Sequence, residues 1–359
     1  MSLSLVLALS LLLVHAALPA SAQPIPATVK AVAPPSDAEM TILREGVALL
    51  NQGKFDEAIA TYRKVLAANP DSPGAMYEIA LALHEQRDLK GAIAQARLCA
   101  QYDFAERDKC LVLLGTAYEE MGEIDQALAI YDAAIAALPT SATLHYNKAV
   151  TELQGKKDPE RAMRTLKTTA RLDPRHAATQ SLLGRVFGAD DLRTPAVFAF
   201  SRFLILEPAS PRTGEIFQLW YGLLQTNVTK DADGKLVIAV NRNKKRTEGD
   251  LLPLDTYIAL SQIDAAGLPA GTPPGARLVQ LFTTYLTAVA AHDPGKDANT
   301  FLWTYYVPYF RELHARKLVE PFVYHVAQSV GMPGAREWID ANAERTAAFL
   351  AWDKDYVWR

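Results

Sequence analysis

Small residues recur along the first half of the chain at intervals of 34 or 35 residues, and this period constrains the fold more than any other feature of the sequence. They are Gly46, Ala80, Gly115, Ala149 and Gly184. A second small residue follows each of them by 12 or 13 positions, namely Ala58, Ala92, Ala127, Ala162 and Ala196. A fixed period of this length is typical of stacked structural units, each of which buries its apolar face against its neighbours.

Two further positions repeat in the same register. Four positions after the second small residue, four of the five units have a large apolar residue. The residues at this position are Tyr62, Ala96, Tyr131, Leu166 and Phe200. A proline usually closes the unit eight residues later, at Pro70, Phe104, Pro139, Pro174 and Pro208. The second unit departs from the pattern at both positions, with Ala96 and Phe104, so we expect that unit to be locally looser.

The spacing of apolar residues predicts that each unit is a helical hairpin. Two apolar runs at helical spacing occur in each unit, such as residues 42–50 and 58–66 in the first. A short turn separates them, and Gly53 or Gly122 can end a helix there without a Cβ clash. The closing proline ends the second helix, because the residue before a proline disfavours the helical region. The sequence therefore predicts an all-α fold with five hairpins over residues 37–210.

This order of small, small, large apolar and proline positions resembles the tetratricopeptide repeat. The resemblance implies a right-handed α-solenoid whose first helices line a concave groove, and a function in binding a protein or peptide segment. Register with the family places the following residues on the groove face: Tyr77, His84, Glu85, Lys109, Glu119, Glu120, Tyr146, Asn147 and Arg185. Only Asn147 matches a position used by the members that clamp a C-terminal carboxylate, so that activity is not implied.

The predicted groove is acidic at Glu85, Glu119 and Glu120 and aromatic at Tyr77 and Tyr146. Complementary charge selects a partner, so we expect the ligand to be an extended peptide or protein segment of basic character. The alternative is that these charges only solvate an exposed face. Both interpretations stay open at the level of sequence.

The N-terminal residues predict export. Residues 3–18 are almost entirely apolar, and Ala20-Ser21-Ala22 matches a small-residue cleavage site, so we expect a signal peptide over 1–22 cleaved after Ala22. No Lys or Arg precedes the apolar run, which leaves an uncleaved membrane anchor as the alternative. Residues 23–36 carry four prolines and predict an extended linker. The expected location is secreted or periplasmic, without stable membrane insertion once the signal is cleaved.

Cys99 and Cys110 are the two cysteines of the chain. Disulfides form in oxidising compartments, so an exported protein could pair them. The alternative is that both are small buried apolar residues, and the sequence does not decide between the two.

Residues 211–359 lose the period and contain all five tryptophans. We expect a mainly helical C-terminal domain with a small β-hairpin near residues 225–240, turning at Asp233-Gly234. Pro308 is expected to end or kink a helix over 298–316. Its aromatic cluster predicts either buried core or a surface for a peptide or sugar, and buried aromatics dominate core energetics. The cluster consists of Phe301, Trp303, Tyr305, Tyr306, Tyr309 and Phe310.

Charge and motifs bound the function. The formal net charge of −3 gives no positive field for phosphate, so nucleic acid is not expected as a partner. The sequence has no His-Glu-x-x-His motif, phosphate loop or nucleophile elbow, so neither catalysis nor a metal or other cofactor is predicted. We expect a non-catalytic interaction or scaffold module of a bacterial-type cell envelope. The alternatives are an enzyme with its site in residues 211–359 and the repeats as a recruiting arm, or a structural part of an envelope assembly.

Overall fold

The computed structural model describes residue 25 and residues 29–225, 228–230, 236–238 and 248–358. The predicted signal peptide, its cleavage site after Ala22 and the Asp233-Gly234 turn lie outside these residues. Contacts divide the chain into two compact units, Met1–Pro139 and Thr140–Arg359. Within the described ranges, no helix is both long and apolar enough to cross a membrane.

The first unit consists of three helical hairpins and one short pair of strands. Its helices are α1 (Asp37–Asn51), α2 (Phe55–Ala68), α3 (Pro73–Glu85), α4 (Leu89–Cys99), α5 (Arg107–Glu120) and α6 (Ile124–Ala137). Its strands are β1 (Lys30–Ala31) and β2 (Tyr102–Asp103), which pair in parallel.

The second unit contains the last two predicted hairpins and the C-terminal helices. The hairpins are α7 (Ala142–Gln154) with α8 (Pro159–Leu172), and α9 (Ala177–Ala189) with α10 (Arg193–Leu206). After α11 (Thr213–Leu224), strands β3 (Val228–Lys230) and β4 (Leu236–Ile238) pair antiparallel. The remaining helices are α12 (Leu252–Ala266), α13 (Pro274–Ala291), α14 (Val307–Ala315), α15 (Val319–Gln328), α16 (Ala335–Ala341) and α17 (Ala343–Asp355). The predicted all-α solenoid with a small hairpin is confirmed.

The two helices of each hairpin cross where the small residues lie. A Cβ atom built on Gly46 would sit 2.2 Å from the Tyr62 ring, and one on Gly115 would sit 2.4 Å from the Tyr131 ring. Gly184 meets the ring of Phe200 at the same 2.4 Å. Glycine is therefore present where the facing residue is aromatic, because the ring occupies the space of a methyl group.

In the other two hairpins alanine replaces glycine, and the facing residue is smaller. Ala80 is followed by Ala96 in the second hairpin, and Ala149 by Leu166 in the fourth. All four side chains are fully buried. The second hairpin is thus closed at its crossing rather than loose, because two methyl groups take the place of a glycine and a ring.

The turn inside each hairpin places one residue in the left-handed region. The five residues recur with the sequence period and have φ between 55° and 78°: Gly53, Arg87, Gly122, Lys157 and Asp191. Glycine adopts this conformation without steric cost, whereas other L-residues do not. The geometry of the hairpin therefore imposes the conformation even where the sequence supplies Arg, Lys or Asp.

Aromatic side chains fill the core of the second unit. All six residues of the predicted aromatic cluster, from Phe301 to Phe310, are buried, so the core interpretation is confirmed. Phe198 of α10 stacks on Phe310 with ring centroids 4.1 Å apart. Trp220 is fully buried and donates its indole N–H to the Ser201 hydroxyl at 2.9 Å.

Pro308 is accommodated without ending the helical path. A π-helical turn over Leu302–Tyr306 precedes it, and Pro308 lies in the first turn of α14. Proline has no N–H to donate to the preceding turn, and here that turn is π-helical, so the backbone stays helical through residue 308. Instead of the expected end or kink, the helix changes from π-helical to α-helical geometry just before Pro308.

We predict that Gly115→Ala destabilises the first unit by about 1–3 kcal/mol, because the new methyl group would overlap the Tyr131 ring. Gly74→Ala is the matched control, since its Cβ would meet only Leu43 Cδ1, at an ordinary 3.8 Å. Denaturant unfolding measures both. Equal stability of the two variants would contradict the crossing described above.

We predict that Lys157→Gly stabilises the second unit by up to about 1 kcal/mol, because glycine removes the cost of a left-handed residue and this outweighs its own chain entropy. The exposed Arg164 in the middle of α8 provides the control, where Arg164→Gly should cost about 1 kcal/mol. Thermal unfolding monitored by circular dichroism compares the two. A loss of stability in both variants would show that the turn conformation is not strained.

Candidate functional site

A cavity of about 730 Å³ lies in the first unit among the N-terminal parts of α1, α3 and α5. We call it the N-terminal cavity. Non-helical segments complete its wall: residues 32–35 before α1, residues 103–106 before α5, and Asn69 and Ser72 in the turn between α2 and α3. Its apolar lining includes Met40, Leu43 and Phe104. Concave sites of this size with mixed lining are the usual place for a ligand.

Two of the predicted groove residues line this cavity. Tyr77 of α3 is half-buried, and burial, followed by the charges of Glu78 and Asp108, raises the pKa of its phenol. The ring is therefore neutral at physiological pH and offers a face and a hydroxyl. Lys109 of α5 is exposed at the rim.

Acidic side chains outnumber basic ones around the cavity. The acidic residues are Glu39, Glu78, Asp103 and Glu106, and the basic residues are Arg44 and Lys109. Burial raises the pKa of Glu78, partly offset by a hydrogen bond from the Tyr62 hydroxyl and by the charge of Lys109. The lining has a formal excess of two negative charges, four against two, and therefore favours a basic ligand.

The remaining predicted groove residues of the first unit lie at the C-terminal ends of α3 and α5. His84 Nε2 is 3.1 Å from Glu120 Oε1, and Arg87 Nη1 is 2.5 Å from Glu120 Oε2. Glu85 is half-exposed and its Oε1 lies 4.0 Å from His84 Nδ1, while Glu119 is half-buried. Glu120 is thus held by two basic side chains of its own chain, and none of these four predicted residues lines the N-terminal cavity.

The predicted groove residues of the second unit make local contacts. The Tyr146 ring lies edge-on to His176 at 4.8 Å, and burial raises the pKa of Tyr146. The Asn147 side-chain amide donates to the Thr143 carbonyl at 2.8 Å, on its own helix. Arg185 pairs with Glu215 of α11 at 2.9 Å. Each of these three side chains thus contacts another residue of the second unit.

Cys99 and Cys110 form a disulfide, with their Cα atoms 6.0 Å apart. The alternative of two unpaired buried cysteines is therefore wrong. The bond closes the segment between α4 and α5, which carries β2 and the cavity wall at residues 103–106. The buried Arg107 fixes the same segment, donating from Nε to the Ala100 carbonyl at 3.0 Å.

A second cavity of about 880 Å³ lies among the C-terminal helices of the second unit, and we call it the C-terminal cavity. It is lined by Thr304, Pro308, Glu312, Arg316, Trp352, Asp355, Tyr356 and Val357. Glu312 Oε1 accepts from Arg316 Nε at 2.7 Å and from Trp352 Nε1 at 3.0 Å. Among the described residues, no group of three or more His, Cys, Asp or Glu is placed to hold a metal ion.

Sequence reasoning missed a buried ionic network in the second unit. Arg202 of α10 is fully buried and pairs with Asp353 of α17, which also accepts from the Tyr309 hydroxyl at 2.7 Å. Burial alone would raise the pKa of Asp353, but Arg202 and the Tyr309 hydrogen bond outweigh it and lower the pKa. The guanidinium of Arg202 also lies 4.8 Å from the Trp358 ring centroid. The carboxylate of Asp353 thus accepts from Arg202 of α10 and Tyr309 of α14, and the network joins these two helices to α17.

Comparison with known proteins finds a match within the repeats. A family model described as a tetratricopeptide repeat matches residues 43–106 and 112–177, which cover the first four of the five hairpins. No curated protein matches the chain.

Several solved structures are similar to this chain. PilF of Pseudomonas aeruginosa is 18% identical, over 52% of this chain and 89% of that chain, with a TM-score of 0.41. A thermophilic tetratricopeptide-repeat protein of Thermus thermophilus is 20% identical, over 52% and 98%, with a TM-score of 0.40. MamA from residue 41 to its end, from Desulfovibrio magneticus RS-1, is 19% identical, over 48% and 96%, with a TM-score of 0.37.

We predict that Asp353→Asn destabilises the second unit by about 3–5 kcal/mol, because it leaves the buried charge of Arg202 without its counter-charge. The exposed Asp355, on the same helix, is the matched control, and Asp355→Asn should change stability by less than about 0.5 kcal/mol. Denaturant unfolding of both variants decides the point. Similar small effects in the two would refute a structural role for the network.

Proposed function

The repeat array of this chain belongs to the tetratricopeptide-repeat family, and on that basis we propose that the protein is a non-catalytic interaction module that binds an extended protein segment at the N-terminal cavity. Repeats of this family act as protein-interaction scaffolds. The single observation that carries the finer proposal is the cavity between α1, α3 and α5, because it joins an apolar floor to an acidic rim.

The charge of the lining supports a ligand with a basic residue. Glu106 and Asp103 are exposed at the rim, and Glu78 lies deeper, where a lower dielectric strengthens its attraction for a cation. The neutral ring of Tyr77 lies beside Glu78 and can contact the stem or the charge of a Lys or Arg side chain. A basic residue flanked by apolar residues fits this arrangement.

The proposed location is secreted or periplasmic, within a bacterial-type cell envelope and after cleavage behind Ala22. The apolar run before Ala22 and the small-residue site support this proposal. The Cys99–Cys110 disulfide adds support, because disulfides persist in oxidising compartments. Nucleic acid is not proposed as a partner, since the net charge is −3 and the cavity is acidic.

The non-catalytic part of the proposal draws on the second unit. Glu312 and Arg316 of the C-terminal cavity pair with each other, and Asp353 is held by Arg202 and Tyr309. A catalytic acid or base has to be within reach of substrate and able to exchange its proton. Glu312 pairs along α14 and also accepts from Trp352 of α17, while Asp353 joins α10, α14 and α17, which favours an architectural role.

Selection of peptides tests the proposed site. A phage-displayed library of random peptides, panned on the full-length protein, should yield sequences with a basic residue beside apolar residues. We expect Glu106→Lys to weaken their binding by about tenfold, or ~1.4 kcal/mol, because it reverses a charge at the rim. Fluorescence anisotropy with labelled peptides measures the affinities.

The matched control is Glu57→Lys, the same charge change at an exposed position in the first turn of α2, away from the cavity. Its affinity for the selected peptides should equal that of the unmodified protein. The proposal is overturned if the selected peptides lack basic residues, or if both variants bind them equally well.

A further inference from the structure

The second hairpin differs from the others because its second helix is shorter and an extended strand follows it. Helix α4 ends at Cys99 after 11 residues, whereas the second helix of each other hairpin has 14. The chain then continues through the strand β2 before α5 begins. Phe104 stands where the other hairpins have a proline, and it lines the N-terminal cavity. The departure from the repeat pattern therefore supplies a short extended edge beside the cavity.

Part of the chain's own N-terminal segment occupies this edge. Lys30 and Ala31 of β1 pair in parallel with Tyr102 and Asp103, and the Lys30 amide donates to the Gln101 carbonyl at 2.8 Å. The Lys30 ammonium lies 5.2 Å from the Tyr102 ring centroid, a cation–π distance. Both residues of β1 are exposed, so backbone pairing and this charge contact hold them rather than burial.

The segment continues from the strand into the cavity wall. Val32 and Ala33 line the cavity, followed by Pro34 and Pro35. Proline has no backbone N–H and a fixed φ, so Pro34 and Pro35 contribute packing and extended geometry but no donor to a ladder. The segment therefore presents one basic residue at the strand and a short apolar, proline-containing stretch beside α1 and α3.

The receiving edge is fixed by a covalent bond and by hydrogen bonds. The disulfide and the Arg107 hydrogen bond hold its two ends. The Tyr102 hydroxyl donates to Asp71 at 2.5 Å, and this bond is the main cause that raises the pKa of Tyr102 to about 12. A preorganised acceptor loses little entropy when an extended segment is added to it.

We propose that β2, beside the N-terminal cavity, is a strand-accepting edge for extended segments in which a basic residue is followed by small apolar residues and proline, and that residues 29–35 take this place within the same chain, pairing with β2 and forming one wall of the cavity. This inference rests on the proposed function and specifies its ligand. Addition of a strand to an exposed edge is an established mode of peptide recognition. A tethered segment acts at an effective concentration in the millimolar range, so a partner has to displace it.

A labelled peptide with the sequence of residues 29–35, Val-Lys-Ala-Val-Ala-Pro-Pro, tests the site. Lys30→Pro in the full-length protein removes the amide that donates to Gln101 and the charge over Tyr102, and should release the tethered segment. We expect this variant to bind the peptide at least about tenfold more tightly than the unmodified protein does. Asp37→Pro is the matched control, because it adds a proline at the first position of α1, outside the strand and the cavity lining, where proline is tolerated, and should leave the peptide affinity unchanged.

Three outcomes overturn the inference. One is equal affinity of the peptide for all three proteins, and another is absence of binding to the folded Lys30→Pro variant, checked by circular dichroism. The third is a dimer, by light scattering, that Lys30→Pro converts to a monomer, because a second copy would then supply the segment. In each case, library peptides that still discriminate Glu106→Lys from Glu57→Lys would leave the proposed function standing.

Discussion

The close crossing of two helices inside each hairpin is the contact on which the rest of the structure depends. Glycine faces an aromatic ring at Gly46, Gly115 and Gly184, and alanine faces a smaller side chain in the other two hairpins. The space at each crossing therefore limits the combined volume of the small residue and the residue that faces it, rather than the size of either one alone. Because stacked hairpins contact mainly their neighbours, an error at one crossing would propagate to the adjacent hairpin.

The predictable parts of the fold are those in which a structural constraint restricts which residue types can occupy a position. A helix crossing admits only small residues, so the five hairpins follow from their spacing. The turn conformation is different, since Gly53 and Gly122 reveal it but Arg87, Lys157 and Asp191 do not. There the packing of the hairpin imposes a backbone conformation that the residue would not choose.

The candidate site was predictable only where it lies on regular helices. Register alone identified Tyr77 and Lys109 as candidates, and both line the N-terminal cavity. It missed the contribution of Glu78 and of the non-helical wall segments before α1 and α5, which come together through a strand pair between residues 30–31 and 102–103. Pairing over that separation leaves no periodic signal. The visible sign was Phe104, the one closing position without proline, and its meaning becomes clear only with the strand beside it.

The pairing of Arg202 with Asp353 has a consequence for how the second unit matures. The two residues are 151 positions apart, so a ribosome must add that many residues to Arg202 before its counter-charge exists. During that interval the guanidinium keeps its hydration shell, and the last hairpin of the array cannot close over it without a large desolvation cost. The nascent second unit therefore stays incomplete until its late helices emerge.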